Sequence, residues 1–229
     1  MDELETLAHE VMTEIDHSLA DNFVKIVLFS RDNPNLRILQ HASRKLPEPK
    51  FGNREHLVYL AKKYSNGRQP KRLPMPKTVP DPALATVMEI GYGKAKEDLE
   101  ILVEGHRIAM VAENVVGELL ERYIDMKLSD DDWIWCAGEV VKSVDFIRRG
   151  TQPDILWESL QIKNRDNSEN SSSSAIRTGT DIKKWYRTVS RTGETKWSEF
   201  PIGSEEDKLD EDDFRRFVRG YLGQLIRQV

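Results

Sequence analysis

Three polar side chains within two apolar runs could together carry out hydrolytic chemistry. Asp145 lies in the run Val140–Ile147, and Gln161 and Lys163 end the run Ile155–Lys163. A carboxylate and an amide oxygen can hold a hard cation such as Mg²⁺. An ammonium can hold or polarise a water molecule, or stabilise charge on a phosphate. These groups would suit the hydrolysis of a phosphodiester.

The two apolar runs are expected to form a hairpin that brings these groups together. Both runs are rich in Val, Ile and Trp, and they flank a turn-rich break at Gly150. This pattern predicts two paired strands. Because side chains alternate along a strand, Gln161 and Lys163 share one face and Ile162 points away from it. If that face meets Asp145, the three groups converge.

This arrangement resembles the PD-(D/E)XK nucleases, in a form where Gln161 replaces the second acidic residue. The sequence LQIKNRDNSENSSSSAIRTGTDIKKWYR, from 160 to 187, is similar more narrowly to the SinI/AvaII group of type II restriction endonucleases. The upstream sequence VKSVDFI, from 141 to 147, fits the same group. The long Asn/Ser run is the more specific part of this resemblance, because a three-residue QxK pattern recurs by chance.

The resemblance implies a fold, an activity and a cofactor. The fold would be α/β, with a restriction-endonuclease-like core, a mixed central sheet flanked by helices and a helical N-terminal part. The activity would be Mg²⁺-dependent cleavage of double-stranded DNA at a short palindrome of the GGWCC type, where W is A or T. We expect one domain over 1–229, divided into a helical and basic part at 1–93, a catalytic core at 94–200 and a C-terminal helix at 201–229.

Two aspartates compete for the role of catalytic acid. Between Asp154 and Gln161 the sequence ILWESL offers no Gly, Pro or Asn to turn on, so it predicts one continuous strand. About seven residues of strand span roughly 20 Å, which would place Asp154 too far from Lys163 to share a metal. Asp145 is instead separated from the second strand by RRGTQPD, a good turn segment. We therefore choose Asp145.

A further carboxylate would help to hold a metal, because Gln161 is neutral. The segment GELLERYI looks like the helix that brings a glutamate to the site in nucleases of this class, and Glu121 is preferred over Glu118. Glu139 is a weaker candidate, since six residues of extended chain would place it roughly 20 Å from Asp145. The expected catalytic residues are Asp145, Gln161, Lys163 and Glu121, and the expected metal contacts are Asp145, Gln161 and Ile162.

The segment after Lys163 is the expected reader of the DNA sequence. Asn can pair with adenine through two hydrogen bonds and Arg with guanine, while Ser can bond to base edges or phosphates. A flexible linker is the competing interpretation of the serine run. The expected DNA-binding residues here, including the basic side chains of IKKWYR, are Asn164, Asn167, Asn170, Ser171, Ser172, Ser173, Ser174, Arg177, Lys183, Lys184 and Arg187.

Positive charge is segregated into one part of an acidic chain. The formal net charge is −5, yet residues 44–77 contain ten basic and two acidic side chains. Such segregation is what phosphate binding requires, and a solvated loop is the alternative interpretation. The expected phosphate contacts in this segment are Lys62, Lys63, Lys71 and Arg72.

The composition excludes several other classes of protein. The chain has 229 residues, of which 32% are charged, and it contains no run of eighteen apolar residues, so we expect no membrane span. The N-terminal sequence MDELETLAHE lacks the features of a signal peptide, and a cytoplasmic location is expected. Cys136 is the single cysteine, so it forms no intrachain disulfide. The five histidines show no metal-ligand spacing, which argues against a histidine–metal nuclease.

Helical periodicity predicts three further elements. The first is a helix over 2–22, after which 23–30 either extends the helix or forms a short strand. The second covers 94–128, with a break near Gly105, and the third covers 213–228.

A palindromic site requires two copies of a rigid reader related by a two-fold axis, so we expect a homodimer. Two alternatives use the same residues. One is a structure-specific nuclease that acts on damaged or branched DNA. The other is an inactive DNA-binding protein, an interpretation that the neutral Gln161 favours.

Overall fold

The computed structural model describes residues 2–39, 50–77, 79–128, 131–166, 180–201 and 209–227. Its helices are α1 Glu3–Asp16, α2 Ala20–Asp32, α3 Arg54–Arg68, α4 Pro82–Thr86, α5 Leu99–Leu128 and α6 Glu211–Arg227. Its strands are β1 Ile134–Trp135, β2 Phe146–Arg149, β3 Trp157–Arg165 and β4 Lys183–Thr188. Within the described ranges, no helix combines the length and apolar character that a bilayer crossing would require.

The four strands form one mixed sheet in the order β1-β2-β3-β4. Strand β2 runs antiparallel to both β1 and β3, and Phe146 of β2 pairs with Leu160 of β3. Strand β4 runs parallel to β3, with Ile162 opposite Trp185. The predicted α/β class, with a mixed sheet and a helical N-terminal part, is confirmed.

The hairpin formed by β2 and β3 depends on a close backbone approach at Gly150. The Gly150 N–H donates to the carbonyl oxygen of Leu156 at 3.1 Å. A Cβ atom at this position would collide with the carbonyl oxygen of Ile155. Glycine has no Cβ, so it is the residue that permits this turn. The predicted hairpin is confirmed.

The first strand of the hairpin is shorter than the sequence predicts. Residues 140–144 do not extend β2, because Glu139 and Ser143 have φ angles of 55° and 56° and the chain turns repeatedly here. The valines in this segment are nevertheless buried in the core. Their apolar character reflects burial within a folded-back loop and not a position in a strand.

The N-terminal part packs as consecutive helices. Helix α1 starts with a capping box, in which the Asp2 carboxylate accepts from the Glu5 N–H and the Glu5 carboxylate accepts from the Asp2 N–H. The single helix expected over 2–22 is interrupted at His17–Leu19, and residues 23–30 lie inside the second helix, α2, so they are helical and the strand alternative is wrong. Phe23 and Ile26 of this segment are fully buried in the core.

Helix α5 is continuous through Gly105, so the predicted break is wrong. Its thirty residues divide into two parts by burial. The buried residues of the helix all fall at Leu119 or beyond, where it packs against β1, β3 and α6. The segment with Glu121 is therefore the part of the helix that faces the sheet.

Candidate active site

A cavity of about 870 Å³ gathers the side chains that the sequence singled out. It is lined by residues that include Glu121, Asp145, Gln161, Lys163 and Asn164. The register of the hairpin explains this, because Phe146 pairs with Leu160 and the preceding residue, Asp145, therefore lies beside the start of the Gln161–Lys163 triplet. The structure thus brings the aspartate, the amide and the ammonium to one place.

Asp145 is held by three hydrogen bonds to neighbouring backbone. Its N–H donates to the Leu160 carbonyl oxygen at 2.9 Å, and its carbonyl oxygen accepts from the Cys136 N–H at 2.8 Å. Its Oδ2 atom accepts from the Ile162 N–H at 2.6 Å. The carboxylate is therefore fixed next to the Gln161–Lys163 segment.

Glu121 reaches the cavity from α5 and is fixed by strand β1. The Trp135 Nε1–H donates to Oε2 of Glu121 at 2.8 Å. Glu118 also lines the cavity, but it is ion-paired, since its Oε1 accepts from Nη2 of Arg122 at 2.8 Å and its Oε2 lies 3.5 Å from Nζ of Lys71. Of the two glutamates weighed from the sequence, Glu121 is the one in electrostatic contact with Asp145.

Burial raises the pKa of both acids at the site. The pKa of Glu121 rises to about 8, mainly through loss of solvent and then through the negative charge of Asp145. The pKa of Asp145 rises to about 6, again mainly through loss of solvent, with a further increase from Glu139. The Lys163 ammonium lowers the pKa of both acids, so it lies within electrostatic reach of each. Two desolvated carboxylates in contact destabilise each other unless a cation joins them.

The donor atoms of the site fit a hard divalent cation. Mg²⁺ prefers oxygen ligands and is commonly held by one or two carboxylates together with water, and Glu121, Asp145 and the amide oxygen of Gln161 supply such atoms. Across the described residues, no three His, Cys, Asp or Glu side chains form a metal-binding group. Ile162 has an aliphatic side chain, and its N–H is donated to Asp145, which leaves its carbonyl oxygen as its one atom suited to a metal.

Asp154 and Glu139 differ in their position relative to the cavity. Asp154 is exposed in the turn before β3, and the cavity lining does not include it. Glu139 does line the cavity, although an extended chain would have placed it far from Asp145. The strand-like pattern of residues 140–144 concealed the turns that bring Glu139 back. Only the Gly138-Glu139 pair gave a sequence signal for a turn.

Arg187 and Asn164 have a packing role in the structure. Arg187 donates to both carboxylate oxygens of Glu211 at 2.8 Å, and to Oδ1 of Asn164 at 2.8 and 3.1 Å. The side chain of Arg187 is 12% exposed. These bonds join β3, β4 and α6, and they leave Arg187 little access to a DNA phosphate.

The remaining expected DNA contacts differ in exposure. Lys62, Arg72 and Lys183 are exposed, whereas Lys63 and Lys184 are half-buried. Lys71 is exposed and lines the active-site cavity, so the basic segment reaches the site. The expected contacts at Asn167, Asn170, Ser171, Ser172, Ser173, Ser174 and Arg177 lie outside the described residues.

The fold and the site together define a class of enzyme. An antiparallel hairpin has an acid directly before its first strand and a Gln-x-Lys triplet in its second strand, and a helix adds a glutamate. This is the arrangement expected of a PD-(D/E)XK nuclease in its QxK form.

Comparison with known proteins identifies the family within that class. The model of the SinI restriction endonuclease family matches residues 4–224. The chain is 43% identical over 222 residues to the type II restriction enzyme Eco47I of Escherichia coli, an alignment that covers 97% of this chain and 95% of that enzyme. It is 42% identical over 221 residues to the type II restriction enzyme SinI of Salmonella infantis, covering 96% and 95%. The chain belongs to the SinI restriction endonuclease family, whose members are type II site-specific deoxyribonucleases.

Proposed function

We propose that this enzyme cleaves both strands of duplex DNA at a GGWCC-type palindrome, with Mg²⁺ as its cofactor and as a cytoplasmic homodimer. The observation that carries the proposal is the convergence of Glu121, Asp145, Gln161 and Lys163 on one cavity. The base sequence of the site rests on the family resemblance. The homodimer rests on symmetry, because two identical active sites must meet two antiparallel strands.

The carboxylates and the amide act as the metal-binding residues in this proposal. When bound, Mg²⁺ stabilises charge on the phosphate and favours ionisation of a water molecule. Asp145 cannot swing away from the site, because the Ile162 N–H holds its Oδ2 atom. Glu121 restores the second negative charge that Gln161 lacks.

Lys163 serves the attacking water and the phosphate. Its ammonium lies close enough to Glu121 and Asp145 to lower the pKa of both. An ammonium in that position can donate a hydrogen bond to the oxygen of a water molecule. It can also stabilise charge that develops on a phosphate oxygen. It also offsets the repulsion between the two carboxylates.

Base recognition is assigned to Asn164–Arg177, which begins one residue after Lys163. A reader that follows the catalytic strand in the chain must lie within reach of the cleaved phosphate. Arg177 is the proposed guanine contact, because its guanidinium matches the O6 and N7 atoms of guanine. An Arg177→Ala variant should lose cognate cleavage far more than non-specific binding.

Digestion of matched duplexes tests the proposal. One duplex carries a GGWCC site, and its partner carries G·C in place of the central A·T pair. We expect discrete products from the first duplex with Mg²⁺ and none with EDTA. Nicks or a smear independent of sequence would instead indicate a structure-specific nuclease. Site-specific binding without cutting, at any Mg²⁺ concentration, would indicate an inactive DNA-binding protein.

A further inference from the structure

Trp135 is a buried residue of β1 that contacts the active site through a single polar atom. Its side chain is 3% exposed, and its Nε1–H donates to Oε2 of Glu121 at 2.8 Å. Its ring also lines the active-site cavity. An indole has one donor and no acceptor, so this bond restricts the orientation of the Glu121 carboxylate.

Two guanidinium groups hold the indole ring in place. Those of Arg68 and Arg122 lie 5.4 and 5.1 Å from the ring of Trp135, within the range of cation–π attraction. Arg68 is fixed by an ion pair with Asp125 at 2.8 Å. The ring therefore packs against side chains that are themselves held.

Arg122 is fixed even more firmly than Arg68. Its guanidinium donates to the carbonyl oxygens of Gly67, Arg68 and Gln69 at 2.7–2.9 Å. It also donates to Oε1 of Glu118. These bonds tie the end of α3 to α5 beside Trp135. The ring is consequently supported by two helices while its N–H points at Glu121.

We propose that Trp135 is the positioning residue of the metal site, holding Glu121 in the orientation that binds the divalent cation. The inference rests on the proposed function, since it takes Glu121 to be a metal ligand. Metal ligands need a partner that orients them, and loss of such a partner typically lowers metal affinity or activity by about 10- to 100-fold. In this proposal Trp135 acts through Glu121 and not by direct contact with the DNA or the reacting atoms.

A second indole in the same sheet offers a matched control. The Trp157 Nε1–H donates to Oδ2 of Asp32, also at 2.8 Å, and the guanidinium of Arg149 lies 3.8 Å from its ring. Trp157 therefore has the same kind of carboxylate and cation partners as Trp135. Asp32 is not among the residues that line the active-site cavity. A Trp→Phe change removes the indole N–H donor at both positions, but only position 135 lies at the proposed metal site.

The experiment compares Mg²⁺ binding by the wild type, Trp135→Phe and Trp157→Phe. Calorimetric titration of the DNA-free proteins gives the affinity directly, and cleavage across a Mg²⁺ series separates half-saturation from kcat. We expect Trp135→Phe to need about 10-fold more Mg²⁺ and to recover most of its kcat at saturation. Trp157→Phe should match the wild type in both respects, even if it loses stability.

Two outcomes would overturn the inference. One is equal Mg²⁺ affinity in Trp135→Phe and Trp157→Phe. The other is a loss of kcat that excess Mg²⁺ does not restore, which would assign Trp135 to the reaction or to the fold. If Trp135→Phe fails to fold, the Trp→Met variants at both positions, which also lack the donor, replace the pair. A wild type that cuts without a divalent cation would refute the proposed cofactor, a result distinct from either of these.

Discussion

Two clusters of partly buried charge lie against the same sheet, and they are built in opposite ways. In the cluster between β4 and α6, Arg187 meets both oxygens of Glu211 at 2.8 Å, and the Trp197 Nε1–H donates to Glu211 at 3.0 Å. In the cluster between α5 and the start of β2, Glu121 and Asp145 are two buried acids, and the charge of Asp145 raises the pKa of Glu121. The first satisfies its charges internally, and the second does not.

This difference separates a structural cluster from a functional one. Opposite charges that neutralise each other need nothing further from outside the protein. Like charges held together in a desolvated place lower stability and raise each other's pKa, and such places are typical of active sites. In the proposed function, the Glu121–Asp145 cluster is completed by a bound divalent cation, whereas the Arg187–Glu211 cluster is complete in the folded chain.

The largest expected effect is on catalysis. Asp145→Ala and Lys163→Ala should each lower the cleavage rate by at least roughly 10²-fold, as is typical when a group that stabilises the transition state is removed. Specific binding should remain, because these residues serve the metal and the water. Single-turnover cleavage and binding to the same duplex would measure the two effects separately.

The matched control for this pair is Asp154→Ala. Asp154 is exposed in the turn before β3, so its removal should leave the rate close to that of the wild type. Near-normal cleavage by Asp145→Ala, together with an inactive Asp154→Ala, would show that the choice of acid is wrong.

The second-largest effect concerns the free energy of unfolding, and its sign should differ between the two clusters. Arg187→Ala should destabilise the fold by about 2–3 kcal/mol, because it leaves Glu211 without its cation. Asp145→Asn should be neutral or stabilising, since it removes a desolvated charge that also raises the pKa of Glu121. Urea denaturation without metal would measure both changes.

Lys183→Ala is the control for the Arg187 variant, since it changes a basic residue of the same strand. Lys183 is exposed and lies 3.6 Å from Glu158, and a surface ion pair contributes about 0–1 kcal/mol. Equal losses in Arg187→Ala and Lys183→Ala would mean that the Arg187–Glu211 cluster does not support the fold.

A smaller effect should appear in the pH dependence of stability. Burial and the charge of Asp145 raise the pKa of Glu121 from an ordinary value of 4.5 to about 8. Between those values the folded chain keeps a proton that the unfolded chain has released. Stability of the metal-free protein should therefore fall as pH rises from about 5 to about 8.

Glu121→Gln should weaken that decline, because an amide does not titrate. Urea midpoints for the wild type and the variant at several pH values would test this. Parallel curves for the two proteins would contradict the assignment. Mg²⁺ should stabilise the wild type more at pH 8 than at pH 6, since protons and metal compete for the same carboxylates.

The sequence predicted which side chains meet in the cavity better than it predicted the local backbone. Choosing Asp145 needed only the turn signal at Gly150 and the length of an extended segment without a turn residue. The position of Glu139 could not be predicted in this way, because the following valines have the same apolar pattern in a buried loop as in a strand. Gly105 suggested a break because glycine is a poor helix former. One glycine costs a helix only about 1 kcal/mol, however, and α5 continues through it.

The Arg187–Glu211 cluster also lay beyond sequence reasoning. Arg187 occurs in a basic segment after the recognition loop, where a phosphate contact is a natural expectation. Its partner Glu211 is 24 residues further along the chain. Only the packing of α6 against the sheet shows that this arginine is neutralised within the protein.

The smallest expected effect belongs to the basic segment that adjoins the site. Lys71 is exposed and lines the cavity, and among the described residues its charge is balanced by a 3.5 Å contact with Glu118. If Lys71 contacts a DNA phosphate, Lys71→Gln should weaken binding to cognate and non-cognate duplexes by the same factor. The slope of log affinity against log salt should fall by about 0.9 for one lost contact. Arg215→Gln, which removes the charge of an exposed arginine on helix α6, should leave both the slope and the affinity unchanged. Adding Lys62→Gln, Lys63→Gln and Arg72→Gln should lower the slope further. An unchanged slope in the fourfold variant would show that this basic segment does not contact DNA, and that Lys71 serves only to balance Glu118 beside the site.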